Sequence, residues 1–196
     1  MVGVTKGVGL EQIQEAISAG LNHLGENRVQ EAREKIFHIQ NVRWHMVGHL
    51  QSNKAKEAVR LFHFIHSVDS LPLAQEIEKG ATLFGKEVPV LLQINLQGKS
   101  APFGVPPESA DALVKEISRL KHLKLSGLMT IAPLSEDPGK TRPYFRRLWG
   151  LKETLEEENS SLALHTLSMG MSQDFEIAVE EGANVVRIGR AIFEKK

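Results

Sequence analysis

The chain has 196 residues, 41% of them hydrophobic and 24% charged, which is ample for one domain with its own core. Lys plus Arg and Asp plus Glu are equal at 24 each, so the formal net charge is zero and no dominant nucleic-acid surface is expected. Cysteine is absent, which rules out disulfides, thiolate metal sites and a Cys nucleophile.

The first strand signal comes at once, in the apolar run Val2-Gly3-Val4-Thr5 that ends on Lys6 and Gly7. Further strand-like runs lie near 21–24, 43–47, 63–67, 88–94, 125–129, 163–167 and 184–188. Helical stripes fall between them. Ile13, Ile17 and Leu21 make the first; Val29, Ala32 and Ile36 make the second, with the Lys35 stem along its edge. Lys54, Lys56 and Arg60 form a basic helical face. Pro106-Pro107 and Glu108 suit a helix start ahead of Ala110, Leu113, Val114, Ile117 and Leu120. Phe145, Leu148, Trp149, Lys152 and Leu155 follow, then Phe175, Ala178 and Val179 with a stop at Gly182.

Eight strand candidates alternating with helices predict a single α/β domain over 1–196, a (β/α)8 TIM-type barrel. The rival is an open doubly wound sheet, but its Gly-rich dinucleotide fingerprint is missing. Only seven outer helices can be counted, so the barrel is expected to lack one, at the N-terminus, and to leave a groove on its wall. The segment Pro133–Lys140 reads as a mobile loop over the site face. No apolar stretch approaches the roughly 20 residues that cross a bilayer, and no signal peptide is visible, so the cytoplasm is expected.

In such a barrel the site lies at the carboxyl ends of the strands. Those ends collect Lys6, Asn27, His45, His49, Asp69, Asn95, Ser168 to Ser172 and Arg187 to Arg190. Lys6 is either a surface amine or an imine-forming one. Ser168-Met169-Gly170-Met171-Ser172 and Arg187-Ile188-Gly189-Arg190 offer hydroxyls, backbone donors and close approach to an anion, or else plain capping and a buried ion pair of Arg187 with Glu181. A lysine on the first strand and phosphate-cradling turns on the last two together suggest pyridoxal phosphate. Arg187, a donor that keeps its protons, would hold a ring nitrogen unprotonated. A zinc site at His45, His49 and Asp69 is the weaker alternative.

The chain resembles the pyridoxal phosphate homeostasis proteins, relatives of the barrel domain of alanine racemase. The resemblance is carried by Val4-Thr5-Lys6, Gly25-Glu26-Asn27-Arg28-Val29-Gln30-Glu31, Trp44-His45-Met46-Val47-Gly48-His49-Leu50-Gln51-Ser52-Asn53-Lys54, Gln93-Ile94-Asn95, Gly127-Leu128-Met129-Thr130, Leu167 to Phe175 and Val186-Arg187-Ile188-Gly189. It implies pyridoxal 5'-phosphate held as a Schiff base on Lys6, with Ser168 and the backbone of Gly189 and Arg190 at the phosphate, Arg187 at the ring nitrogen and Met169 among the cofactor-binding residues. Asn27, His49 and Asn95 would line the pocket.

The resemblance further implies a role in vitamin B6 homeostasis without an established turnover reaction. The partners expected are the cofactor and pyridoxal-phosphate-dependent apo-enzymes; charge and hydropathy predict no nucleic acid and no membrane, and a monomer or weak homodimer is expected. Arg190 stands where a small hydroxylated residue is usual, and the segment Gly98–Gly104 departs from the family's acidic pattern. The N-terminal helix that family members carry ahead of the lysine strand is also missing. A small racemase-like enzyme and a sugar-phosphate barrel using Glu26 and Asp69 are the competing readings. The racemases take a second base from a tyrosine on an added domain, whereas this chain has a single Tyr, Tyr144.

Overall fold

Eight parallel strands form one sheet in the order β7-β6-β5-β4-β3-β2-β1-β8 in the structure, a computed structural model that describes residues 1–194. They are β1 Val2–Val4, β2 His23–Glu26, β3 Arg43–Met46, β4 Phe64–Val68, β5 Val88–Ile94, β6 Leu123–Thr130, β7 Thr166–Ser168 and β8 Arg187–Ile188. The sheet closes on itself. Met169 N donates to Val185 O at 3.1 Å and Arg187 N to Gly170 O at 3.0 Å, so the turns after β7 and before β8 seal the last seam. Closure removes the open strand edges that an apolar sheet of this length would otherwise expose.

A helix follows each strand: α1 Leu10–Ser18, α2 Val29–His38, α3 Ala55–Leu61, α4 Leu71–Phe84, α5 Ala110–Ile117, α6 Arg142–Glu158, α7 Phe175–Glu180 and α8 Arg190–Phe193. Local chemistry sets their ends. Ser70 Oγ accepts from Leu73 N at the start of α4, and Gly85 ends that helix in the left-handed conformation at φ 60°. Where seven helices were expected, an eighth is present as the single turn α8. Among the described residues the outer wall beside β8 and β1 carries only this turn, which reaches α1 through Gln12 Nε2 and Phe193 O at 3.4 Å.

Strand alternation divides the apolar residues between two layers. Leu24, Trp44, Met46, Ile65, Val90, Leu92 and Leu128 face outward and pack on Ile13, Val59, Ile77, Val114, Phe145, Leu148 and Ala178 of the helices. The opposite parity points into the barrel and is more polar. His23, His45, His66, Gln93, Ser168 and Arg187 lie there among Val2, Val47, Leu91 and Met129. A barrel interior only requires side chains that fill it. Six polar groups on that parity are thus the first structural sign of a site.

Candidate functional site

At the carboxyl ends of the strands lies a recess of about 420 Å³, within the usual size of a small-ligand pocket. Its walls come from Val4, Asn27, Gly48, His49, Gln93, Arg187, Gly189 and Arg190, together with Met171 to Asp174 before α7. The loop between β6 and α6 covers one side with Ile131 and with Pro133, Leu134, Ser135 and Pro138, the last four in the segment expected over the site face. Gly48 is required by proximity, since a Cβ there would lie 2.4 Å from the Asn27 carbonyl oxygen. Gly170 turns the chain after β7 at φ 89°, where a Cβ would meet that of Ala178 at 2.5 Å.

Five of the expected site residues meet at this recess: Asn27, His49, Arg187, Gly189 and Arg190. Lys6 does not line it. Its exposed side chain lines an adjoining recess, and the two share Asn27, Gly48, His49 and Phe103. The backbone that projects Lys6 is firmly held. Thr5 Oγ1 donates to Glu26 Oε1 at 2.6 Å, Lys35 Nζ donates to the same oxygen at 2.6 Å, and Lys35 Nζ also reaches Thr5 O at 2.5 Å. Glu26 is thus paired with Lys35 rather than with Arg28, which lies near Glu31.

Three other expected residues are occupied elsewhere. Asn95 shapes its own loop, with Nδ2 donating to Gly98 O at 3.0 Å and Oδ1 accepting from Gln97 N at 3.0 Å. That loop delivers Phe103, whose ring stacks on His49 at 3.7 Å between centroids. Met169 is fully buried, and its amide is spent on barrel closure. Ser168 is fully buried beneath the recess, bonded to His66 and Arg187. In that segment it is Ser172 whose hydroxyl lines the recess; it accepts from Ala191 N at 3.2 Å and so ties the turn after β7 to α8.

Arg187 dominates the electrostatics. Its Nη1 donates to Ser168 O at 2.7 Å and Ser168 Oγ at 2.8 Å, and Nη2 donates to Thr130 O at 2.8 Å. The residue is only 4% exposed, and burial pushes its guanidinium down to about 10 despite the nearby Asp174 carboxylate. No carboxylate among the described residues lies within 4.0 Å of it. Glu181, the partner considered from sequence, instead binds Arg142 and Arg146 at 2.5 and 2.8 Å. Arg187 therefore presents a buried positive charge, with donors to spare, to a recess that an acceptor-rich or anionic ligand would complete.

His49 Nδ1 lies 3.6 Å from Asp69 Oδ2, while His45 sits inside the barrel, so the three residues of the zinc alternative are split between two places. No group of three or more His, Cys, Asp or Glu among the described residues is placed to hold an ion. Gln93 and Asp174 are recess residues to which the sequence reading gave no pocket role. A signal existed for Gln93, the only polar side chain in the apolar strand Val88–Ile94.

The family model for the alanine racemase N-terminal domain matches residues 3–195. A pyridoxal phosphate homeostasis protein of Aquifex aeolicus is 42% identical over 198 residues, covering all of this chain and 86% of that protein. PipY of Synechococcus elongatus has been solved without and with pyridoxal phosphate. Both structures superpose at a TM-score of 0.92 with 38% identity over 98% of this chain and 91 to 92% of theirs. Alanine racemase of Clostridium difficile shares the fold alone, at TM-score 0.78 and 17% identity, with this chain spanning 52% of it. The chain belongs to the alanine racemase N-terminal domain family, among the pyridoxal phosphate homeostasis proteins.

Proposed function

We infer that residues 1–196 form a single domain that binds pyridoxal 5'-phosphate through a Schiff base on Lys6 and serves intracellular homeostasis of that cofactor. The observation that carries this reading is the buried Arg187 guanidinium, open to a recess of suitable size and free of carboxylate contact. The bound group would supply an aldehyde, an electron-accepting ring and a phosphate dianion. The residues present fit each part.

Lys6 supplies the amine beside the shared wall of Asn27, Gly48 and His49, and its exposed side chain can turn across that wall. Arg187 offers donors only, so it directs a ring acceptor towards itself and withholds a proton from it. The Phe103 ring, stacked on His49, forms one flank of the site. Ser172, Gly189 and Arg190 offer a hydroxyl, a turn of backbone and a cation at the anionic end.

PipY has been solved with the cofactor bound, and the curated relatives are named for homeostasis rather than for a reaction. Tyr144 packs against the hydrophobic core rather than on the recess wall, which favours a carrier over a racemase-like use of the site. The proposed recipients are pyridoxal-phosphate-dependent apo-enzymes, served in the cytoplasm by a monomer or weak homodimer. No helix among the described residues is long and apolar enough to cross a membrane.

Borohydride reduction of the loaded protein followed by peptide mapping tests the assignment. Modification is expected on Lys6 and is lost in Lys6→Ala with the fold retained, because that side chain is exposed. Arg187→Ala should keep the adduct while weakening affinity by about 1.5–3 kcal/mol, the range for a hydrogen bond to a charged group. Modification confined to another lysine would overturn the site. Failure to reactivate any apo-enzyme at any ratio would overturn the carrier role.

A further inference from the structure

A file of three imidazoles runs through the barrel beneath the recess, and nothing proposed so far uses it. His23 Nδ1 meets His45 Nε2 at 2.8 Å, His45 Nδ1 meets His66 Nε2 at 2.9 Å, and His66 Nδ1 meets Ser168 Oγ at 3.0 Å. Ser168 Oγ in turn accepts from Arg187 Nη1 at 2.8 Å. The file enters at His23, the first residue of β2 at the opposite mouth, passes β3 and β4, and crosses the interior to β7 and β8.

Arg187 gives this file a direction. A guanidinium only donates, so the Ser168 hydroxyl proton is directed to the one remaining neighbour, His66 Nδ1. His66 then carries its proton on Nε2 and donates to His45 Nδ1. By the same step His45 carries its proton on Nε2 and donates to His23 Nδ1. Three neutral rings in one tautomer follow, each with its acceptor nitrogen turned towards Arg187. Aligned hydrogen bonds polarise one another, so the acceptor end of the file becomes more negative than a lone hydroxyl would be. Burial keeps His45 and His66 uncharged, with both pushed well below the ordinary histidine value.

We propose that His66, backed by His45 and His23, is the positioning residue for Arg187: its Nδ1 fixes Ser168 Oγ as an acceptor, and this aims the guanidinium into the recess. The arrangement answers how a buried Arg187 is held without a contacting carboxylate. A carboxylate in that place would neutralise the charge and compete with the ligand for its donors. A neutral acceptor holds the group and leaves the charge available. This inference rests on the pyridoxal phosphate reading only for what Arg187 touches; the ordering of the rings is a property of the protein alone.

The test has two arms. In the ligand-free protein, long-range nitrogen–proton NMR at neutral pH should show Nδ1 unprotonated and Nε2 protonated on His23, His45 and His66. A protonated Nδ1 on His66, or a charged His66, would overturn the inference whether or not the cofactor binds. In the second arm, His66→Leu should weaken pyridoxal phosphate by roughly tenfold and shift the absorbance maximum of the bound cofactor. His66→Asn, whose Oδ1 stands near the place of Nδ1, should restore both. Wild-type affinity and absorbance in the Leu variant would overturn the positioning role, as would a folded Asn variant that restores neither. If the Leu variant does not fold, the Asn variant and the NMR arm still decide.

Discussion

Replacing Lys35 by Met should be far more damaging than its place near the surface suggests. Lys35 is 13% exposed and its partner Glu26 is fully buried. Among the described residues the Glu26 carboxylate receives only Lys35 Nζ and Thr5 Oγ1, both on Oε1, and its Oε2 has no partner. Lys35→Met thus leaves a buried charge with one neutral hydroxyl, a change that typically costs about 3–5 kcal/mol. Domains are stable by about 5–15 kcal/mol, so the loss is a large share of the total. With a urea slope near 2 kcal/mol/M the midpoint should fall by about 2 M.

The same cation bonds the carbonyl of Thr5, so Lys6 is loosened too, and borohydride trapping of the cofactor should drop in the variant at concentrations of urea that leave it folded. A second substitution separates charge from packing. Lys35→Met with Glu26→Met should recover most of the stability, because an apolar pair of similar volume replaces an ion pair at little net cost. A loss below about 1 kcal/mol, the level of an exposed pair, would show that water reaches Glu26 and refute the reasoning. So would a double variant no better than the single one.

Stability should also fall on acidification through the barrel imidazoles. Burial, with His23 beside it, holds His45 at about 3 against an ordinary 6.5, so the unfolded chain binds a proton that the folded chain refuses. The contribution is complete above about pH 6.5 and is lost as pH falls towards 3; for His45 it amounts to about 2 kcal/mol between pH 7 and pH 5 at 1.36 kcal/mol per unit. Urea midpoints against pH will show it, and a His45→Phe variant should give the flatter curve; identical slopes would refute the assignment. Gly48→Ala should cost about 1–3 kcal/mol and abolish cofactor binding, because the new methyl meets the Asn27 backbone on the wall shared by the two recesses. A variant that binds normally would show that this wall has room to give.

Much of the barrel is legible along the chain because its signals are local. Apolar runs at eight places and helical stripes between them depend only on near neighbours, and every predicted run overlaps or adjoins a strand of the sheet. The short α8 escaped notice because Arg190–Phe193 is a single turn, too brief for periodicity to register. At the site, Arg187, Gly189 and Arg190 follow from one rule, that ligands meet the carboxyl ends of barrel strands. The rule names a pole but not a direction for each side chain. Ser168 satisfies it in sequence, yet parity and barrel closure turn its hydroxyl down to His66, and Ser172 takes the position at the recess.

The sequence by itself determined the strand and helix order and the pole to which the recess opens, since these rest on short-range pattern, and it is motif alone that proposes the amine at position 6. Only the tertiary structure decided which polar groups bond to one another. Glu26 and Lys35 meet because α2 folds back over β2. His66 reaches Ser168, 102 residues away, because the sheet curls until β4 and β7 face each other across the interior. Such pairings depend on closure of the whole ring of strands, and no window of neighbouring residues contains that information.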